Sequence, residues 1–272
     1  MTQRKREADN LYKKLCKTCE AVRAGRTLIN KKMIHFSKAC INAIIAMFFC
    51  GLITSCAYYP RLTGVPLIEE KGDTRIEGGI SFMPPNIQAS VSHGVSECIA
   101  IQAAGTVNDE DRYGHVAIGY FKKIQDRNVM ELYGGFGFGH FEAYQSTTGG
   151  RMYGNNQTYF MQFNFGNVER KSRNKEYGVG LKLGYQHYKM TDRHYFGDIE
   201  YNPNEPLPVY NINGLFVEPI FFTRFGGEKL KFQAMLGGCL WLQLSHKDKE
   251  MPWWPLNFGF GVSYSFGGNN NK

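Results

Sequence analysis

From Thr74 onward the chain shows almost no helical periodicity; apolar and polar positions alternate with a period of two, the signature of a strand with two unlike faces. The segment 176–186 is the clearest. Tyr177, Val179, Leu181, Leu183 and Tyr185 form one row, and Glu176, Gly178, Gly180, Lys182, Gly184 and Gln186 the other. The last segment, 256–266, sets Leu256, Phe258, Phe260, Val262, Tyr264 and Phe266 against Asn, Gly, Gly, Ser and Ser. In 158–165, Tyr159, Met161, Phe163 and Phe165 oppose Thr158, Phe160, Gln162 and Asn164. Read this way, the pattern predicts strands at 74–82, 87–92, 98–105, 113–121, 129–141, 157–166, 175–188, 214–225, 229–243 and 256–266. The second is weak, so the count is ten with eight as the alternative.

A soluble β-sandwich also alternates, and three features separate it from a membrane barrel. Large apolar rows face rows of Gly, Ser, Asn and single charges, which suits lipid outside and a tight polar interior. Tyr and Phe sit at the ends of several apolar rows, where an aromatic girdle belongs. Segment length matches a tilted strand crossing a bilayer. The connections after odd strands include 142–156, 189–213 (with three prolines) and 244–255, while those at 93–97, 122–128, 167–174 and 226–228 are short. Long loops outside and short turns inside is the outer-membrane arrangement. The expected fold is therefore all-β: an antiparallel up-and-down transmembrane β-barrel over 74–266, followed by a polar tail at 267–272.

On these registers the interior carries Arg75, Glu77, Glu131, Glu176, Lys182, Glu218, Arg224 and Lys231. A barrel of this size is narrow, so charges inside it are tolerable only where they pair or meet water. A salt-bridged plug, a narrow polar conduit and a lumen-binding site are the three readings.

The formal charge of +8 would suit nucleic acid or an anionic surface, but its distribution argues otherwise. Residues 1–32 hold ten Lys/Arg and three acids, whereas after Cys56 there are 21 basic and 21 acidic residues. The basic character belongs to the leader, and no nucleic-acid partner is expected. Four cysteines also precede Cys56, leaving Cys98 and Cys239 after it, too few for a disulfide-stapled fold. Cys16 and Cys19 form a lone C-x-x-C that no second Cys/His pair completes, so no metal site is expected.

The apolar run 39–54 has signal-peptide length and is short for a membrane-spanning helix. It ends in Ile53-Thr54-Ser55-Cys56, which resembles the bacterial lipobox, whose cysteine is acylated and becomes the first residue. The competing reading is an ordinary secretory signal or anchor helix with an incidental Cys56. The 1–32 stretch is an unusually long n-region, while Met33 opens a normal-looking signal peptide; the expected start is Met33, with a genuine long n-region as the alternative. This divides the chain into a leader at 1–55, a lipidated periplasmic linker at 56–73 and the barrel. Residue 57 is Ala rather than Asp, so the familiar inner-membrane retention signal is missing, and 57–61 lack the acidic cluster that resembles a surface-export signal. Both favour an anchor in the periplasmic leaflet, with the N-terminus periplasmic.

Phe258, Phe260, Val262, Tyr264 and Phe266 resemble the C-terminal signal read by barrel-assembly machinery, departing from it in the six residues that follow. Together with the lipobox, Tyr59-Pro60, Pro66-Leu67 and Lys71-Gly72-Asp73, the chain over 33–266 is similar to the small outer-membrane β-barrel lipoproteins of Bacteroidota. That resemblance implies a fold and a location, and with them outer-membrane lipid, the lipoprotein-processing and barrel-assembly machineries, and another envelope protein as partners. It implies no activity.

Residues that could carry chemistry are sparse, and no cofactor is expected. Gly134-Gly135-Phe136-Gly137-Phe138-Gly139 lacks the strand–turn–helix setting of a phosphate loop and reads as a strand with glycines inside. The histidines are scattered. His187, near an outer rim, could imitate a hydrolase triad, yet no motif frames a serine. Trp253 and Trp254, in an external loop, suit sugar stacking, a partner or the bilayer boundary. The expectation is a non-enzymatic barrel with a structural, accessory-subunit or narrow-pore role. Its rivals are a barrel enzyme modifying envelope lipid or peptide, and a lipid-anchored periplasmic β-sandwich.

Overall fold

The computed structural model describes residues 61–62, 64–124, 127–145, 149–169, 175–194, 197 and 204–267. Cys56, the leader, the C-x-x-C and Tyr59-Pro60 lie outside them, as does the tail beyond Gly267. Every regular element among the described residues is a strand. They are β1 (Thr74–Phe82), β2 (Pro85–Gly94), β3 (Ile99–Val107), β4 (Asp111–Ile124), β5 (Asn128–Gln145), β6 (Gly150–Glu169), β7 (Lys175–Arg193), β8 (Val209–Gly226), β9 (Leu230–Gly238), β10 (Leu240–Gln243) and β11 (Leu256–Phe266).

Each strand pairs antiparallel with its neighbour, and the sheet closes where β1 meets β11, β11 meets β9 and β9 meets β8. β9 and β10 are one stave of the wall. Ile220 faces Gly237 before the gap and Val217 faces Leu240 after it, so the register runs straight through. The interruption has a local cause: β8 carries Pro219 at this level, with no N–H to give to the ladder, and its ring lies against Gly238. The result is a closed ten-stranded antiparallel barrel, which overturns both the eight-strand count and the β-sandwich alternative.

The first and last strands fall where the alternation puts them, but the middle ones are much longer. β5 and β6 pair as far as Gln145 and Gly150, so most of the expected outer loop 142–156 is strand. Likewise β7 and β8 pair as far as Thr191 and Val209, which shortens the loop expected at 189–213. The weak second strand is a complete ten-residue element. The wall is consequently low along β1–β4 and tall along β5–β8. The mouth holding Thr74, Phe266 and the short turns is called the terminus mouth below; the opposite one, with the 194–208 and 244–255 connections, is the long-loop mouth.

Residues 61–62 and 64–69, expected as part of a linker outside the barrel, are buried inside it. Leu62, Val65, Leu67 and Ile68 are buried. Their contacts step through the lumen in chain order. Leu62 lies by Gly259, Gly64 by Gln102, Val65 by Gly180, Leu67 by Gly166 and Ile68 by Gly94. At the terminus mouth the chain reverses into β1. The Asp73 carboxylate accepts the Glu69 and Glu70 amides at 3.0 and 3.2 Å, and Gly72 takes φ 84°, a left-handed turn open to glycine at little cost.

Candidate functional site

The lumen is where this chain concentrates its unusual chemistry. All eight interior charges inferred from the alternation are buried. Five of them meet near the terminus mouth, brought together from β1, β7, β8 and β9. Glu176 is the hub: Arg75 approaches it at 2.5 Å, Arg224 at 3.2 Å and Lys231 at 3.2 Å. Arg224 also binds Glu77 and the Val65 carbonyl of the internal strap, and its Nε donates to Gln233 at 3.1 Å. Ser90 donates to the second oxygen of Glu77 at 3.2 Å. Three cations and two carboxylates thus share one partnered knot, the condition under which buried charge is tolerated.

Glu131 stands beside the knot and serves the strap. It accepts the Ile68 amide at 2.7 Å and the Asn164 side chain at 2.9 Å. Gln162 donates to the Gly64 carbonyl and, at 2.8 Å, to Asn164. The Gly64 and Val65 carbonyls and the Ile68 amide of the strap are therefore met by side chains of the wall, as burial requires. Lys182 and Glu218 lie higher and are looser, at 3.9 Å. Higher still, Arg61 stacks over the Tyr113 ring, 3.7 Å from its centre, and pairs with Asp111 at 3.7 Å. Between these charges runs a band of buried uncharged groups. Gln88, Thr106 and Asn156 lie in one register row, and His115, Thr158 and Gln186 in the next.

Above that band the interior changes character. Phe141, Met152, Tyr188, Met190, Ile212 and Cys239 pack together with Met251 from the 244–255 connection, and Tyr210 and Trp241 lean on them. Phe141 meets Tyr188 edge-on at 5.1 Å, and Tyr188 meets Trp241 at 5.9 Å. The lumen is thus filled by paired charge and the strap below and by an apolar cluster above.

Outside, the order is reversed over most of the height. Ile76, Ile80, Ile118, Phe163, Leu181, Leu183, Phe221 and Phe232 all face outward and exposed. Phe260, Val262, Tyr264 and Phe266 of the C-terminal row are exposed too, while Phe258 is half-buried and stacks on Phe82 at 5.2 Å. Of the glycine-rich segment, Gly135, Gly137 and Gly139 share the inward parity, with Phe136 and Phe138 strongly exposed; Gly134 falls on the outward row. His187 gives no triad. Its Nδ1 lies 2.6 Å from the Asn213 amide oxygen, which also accepts the Tyr185 hydroxyl at 2.8 Å. Among the described residues no group of His, Cys, Asp and Glu is arranged to hold a metal. Trp253 is exposed on the 244–255 connection and Trp254 half-buried.

The strap itself was missed as a lumen element, with Arg61 and Asp111; Gln162 and Asn164 were placed on the polar row but not tied to the strap or to Glu131. A signal existed: Leu62, Val65, Leu67 and Ile68 are too apolar for a stretch read as a solvated linker.

An apolar belt wrapped around a charged, closed lumen defines a β-barrel of the outer-membrane type. The chain is similar, at very low identity, to solved outer-membrane barrels. The outer membrane protease OmpT from Escherichia coli is 9% identical over 72% of this chain and 94% of that one, with a TM-score of 0.47. The N-terminal β-barrel domain of Pseudomonas aeruginosa OprF is 13% identical over 72% and 98%, TM-score 0.28, and the KdgM porin 9% over 71% and 99%, TM-score 0.32. These likenesses concern the fold alone. No family model matches the chain, and no curated protein does.

Proposed function

We propose that this protein is a lipid-anchored outer-membrane barrel that works as a closed envelope component, a structural part or accessory subunit, and neither conducts solutes nor catalyses a reaction. The observation that carries this reading is the filled lumen: the strap occupies its lower part, tied to the knot through Arg224 and to the wall through Glu131 and Gln162, and the Phe141–Tyr188–Met190 cluster occupies the part above. A conduit needs a continuous wet path, whereas here the charges are spent on one another. The anchor is Cys56, on the strength of its lipobox-like setting. The protein's partners in this reading are outer-membrane lipid, the processing and assembly machineries, and a neighbouring envelope protein.

Planar-bilayer recording tests it. The intact protein should give no unitary conductance, while a variant lacking residues 57–69 should open channels if it still runs as a heat-modifiable barrel. Steady conductance from the intact protein would replace the plug with a pore. Labelled palmitate should enter the parent and not Cys56→Ser, with the barrel remaining membrane-integral in both.

A further inference from the structure

The direction of the strap carries a consequence for the anchor. Its contacts are ordered: Ile68 lies against Gly94 and Glu131 near the terminus mouth, Gly64 against Gln102 and Gln162 at mid-height, and Arg61 against Asp111 and Tyr113. Asp111 is the first residue of β4, directly after the turn at the long-loop mouth. The chain therefore climbs from Asp73 at the terminus mouth to Arg61 at the level of the β3–β4 turn, the low rim of the long-loop mouth. We infer that the chain upstream of Arg61 leaves through the long-loop mouth, and that the acyl chains on Cys56 sit in the leaflet at that mouth, the outer leaflet of the outer membrane. The second half of this statement rests on the lipid-anchor reading given above; the first does not.

Two further observations fit an exit toward lipid. The wall is lowest on the side where Arg61 lies. β1–β2 ends in the Met83-Pro84 turn and β3–β4 turns at 108–110, whereas β5 and β6 rise to Gln145 and Gly150. The outward rows at that low rim are apolar up to the turns, with Ile80, Ile87 and Val107 exposed, so lipid reaches close to the rim there. Covalent geometry supplies the rest. Five residues separate Cys56 from Arg61, a reach of at most about 18 Å, which spans the rim but not a return through a lumen the strap already fills. The leaflet expected from Ala57 and from the missing acidic cluster is the opposite one; those signals concern sorting, and the strap concerns where the folded chain emerges.

The test is sidedness on intact cells. A short epitope placed after Tyr58 is compared with one after Lys247, in the 244–255 connection, and one after Gly227, in the β8–β9 turn at the terminus mouth. The expected result is antibody labelling of the Tyr58 and Lys247 insertions without permeabilisation, and of the Gly227 insertion only after it. Co-labelling of the Tyr58 and Gly227 insertions would overturn the exit. Tyr59→Cys in a Cys98→Ser background, read with a membrane-impermeant maleimide, repeats the measurement without an inserted peptide, and heat-modifiability verifies that each variant is folded. Palmitate labelling separates the two halves. A surface epitope without palmitate removes the acyl anchor and leaves the exit; palmitate with a hidden epitope removes the exit and leaves the anchor.

Discussion

The lower and upper halves of the same four strands obey opposite rules. Along the lower part of β7 the outward residues are Tyr177, Val179, Leu181, Leu183 and Tyr185, and the inward ones include Glu176, Lys182 and Gln186. Two residues on, with no slip in register, the outward positions become His187, Lys189 and Thr191, and the inward ones Tyr188 and Met190, with a buried Asp192 last at the rim. β6 changes in step, from outward Phe163, Met161 and Tyr159 to Gln157 and Asn155. Tyr185, Tyr159 and Phe136 share one register row, an aromatic line at the level of the change. Period-two geometry is common to both halves, so what changed is the solvent. Lipid outside forces polarity inward, and water outside lets the interior be an ordinary apolar core. That boundary is where an edge of the bilayer is expected, since the outward face passes there from apolar to polar.

The comparison breaks most visibly at its charged interior. Arg224→Ala removes the cation paired with Glu77 and one of the three on Glu176, and frees the Val65 carbonyl, leaving the buried Glu77 carboxylate without its ion-pair partner while Arg75 and Lys231 stay on Glu176. Loss of one member of a buried ionic cluster costs about 3–5 kcal/mol, so the urea midpoint of the detergent-folded barrel should fall steeply. A shift too small to measure would mean the knot is hydrated. Next in size is Leu181→Arg, at the centre of the outward row of β7. A charge there facing lipid should cost about 2–4 kcal/mol in bilayers. The effect should vanish for Lys189→Ala, on the same face above the line. Equal costs at both positions would erase the boundary.

How much of this was legible in the sequence follows from the same inversion. Where lipid is the outer solvent, the alternation of 74–82 and 256–266 gives the strands residue for residue, and the parity of Glu131, Lys182 and Glu218 places them inside. Above the line the alternation persists but its polarity flips, so a rule that demands apolar-out reads 189–193 and 142–156 as loop. The strap was illegible for a different reason. A single extended segment has no partner row of its own, and whether Leu62, Val65, Leu67 and Ile68 lie in a linker or a lumen is decided by Gln102, Glu131, Gln162 and Arg224, from 34 to 162 residues away in the chain. Long-range placement of this kind leaves no local periodicity.

Within the upper half, Ile212 is fully buried in the apolar cluster. Ile212→Val deletes one methylene there, and a packed water-side core should lose about 0.5–1.5 kcal/mol. Thermal unfolding followed by tryptophan fluorescence, with Trp241 against the same cluster, reads it directly. No change would mean the tall hairpins are loosely packed, closer to loops than to a core.

The smallest effect is the sharpest control. Glu142 and Arg151 form an ion pair on the β5–β6 hairpin above the aromatic line, chemically the same pair as Glu77 and Arg224. Arg151 is half-exposed and Glu142 about a third exposed, whereas Arg224 and Glu77 are buried at 2% and 7%. An ion pair in water gains little, because solvent and salt screen it and two long side chains must be held in place. Arg151→Ala should therefore leave the urea midpoint where the parent has it, at low and at high salt alike. If it fell as far as Arg224→Ala, the hairpin's outer face would not be in water, and the line through Tyr185, Tyr159 and Phe136 would be the wrong edge of the membrane. If it does not move, the worth of a charge in this barrel is set by which side of that line and which face of the wall it occupies, and not by whether it has a partner.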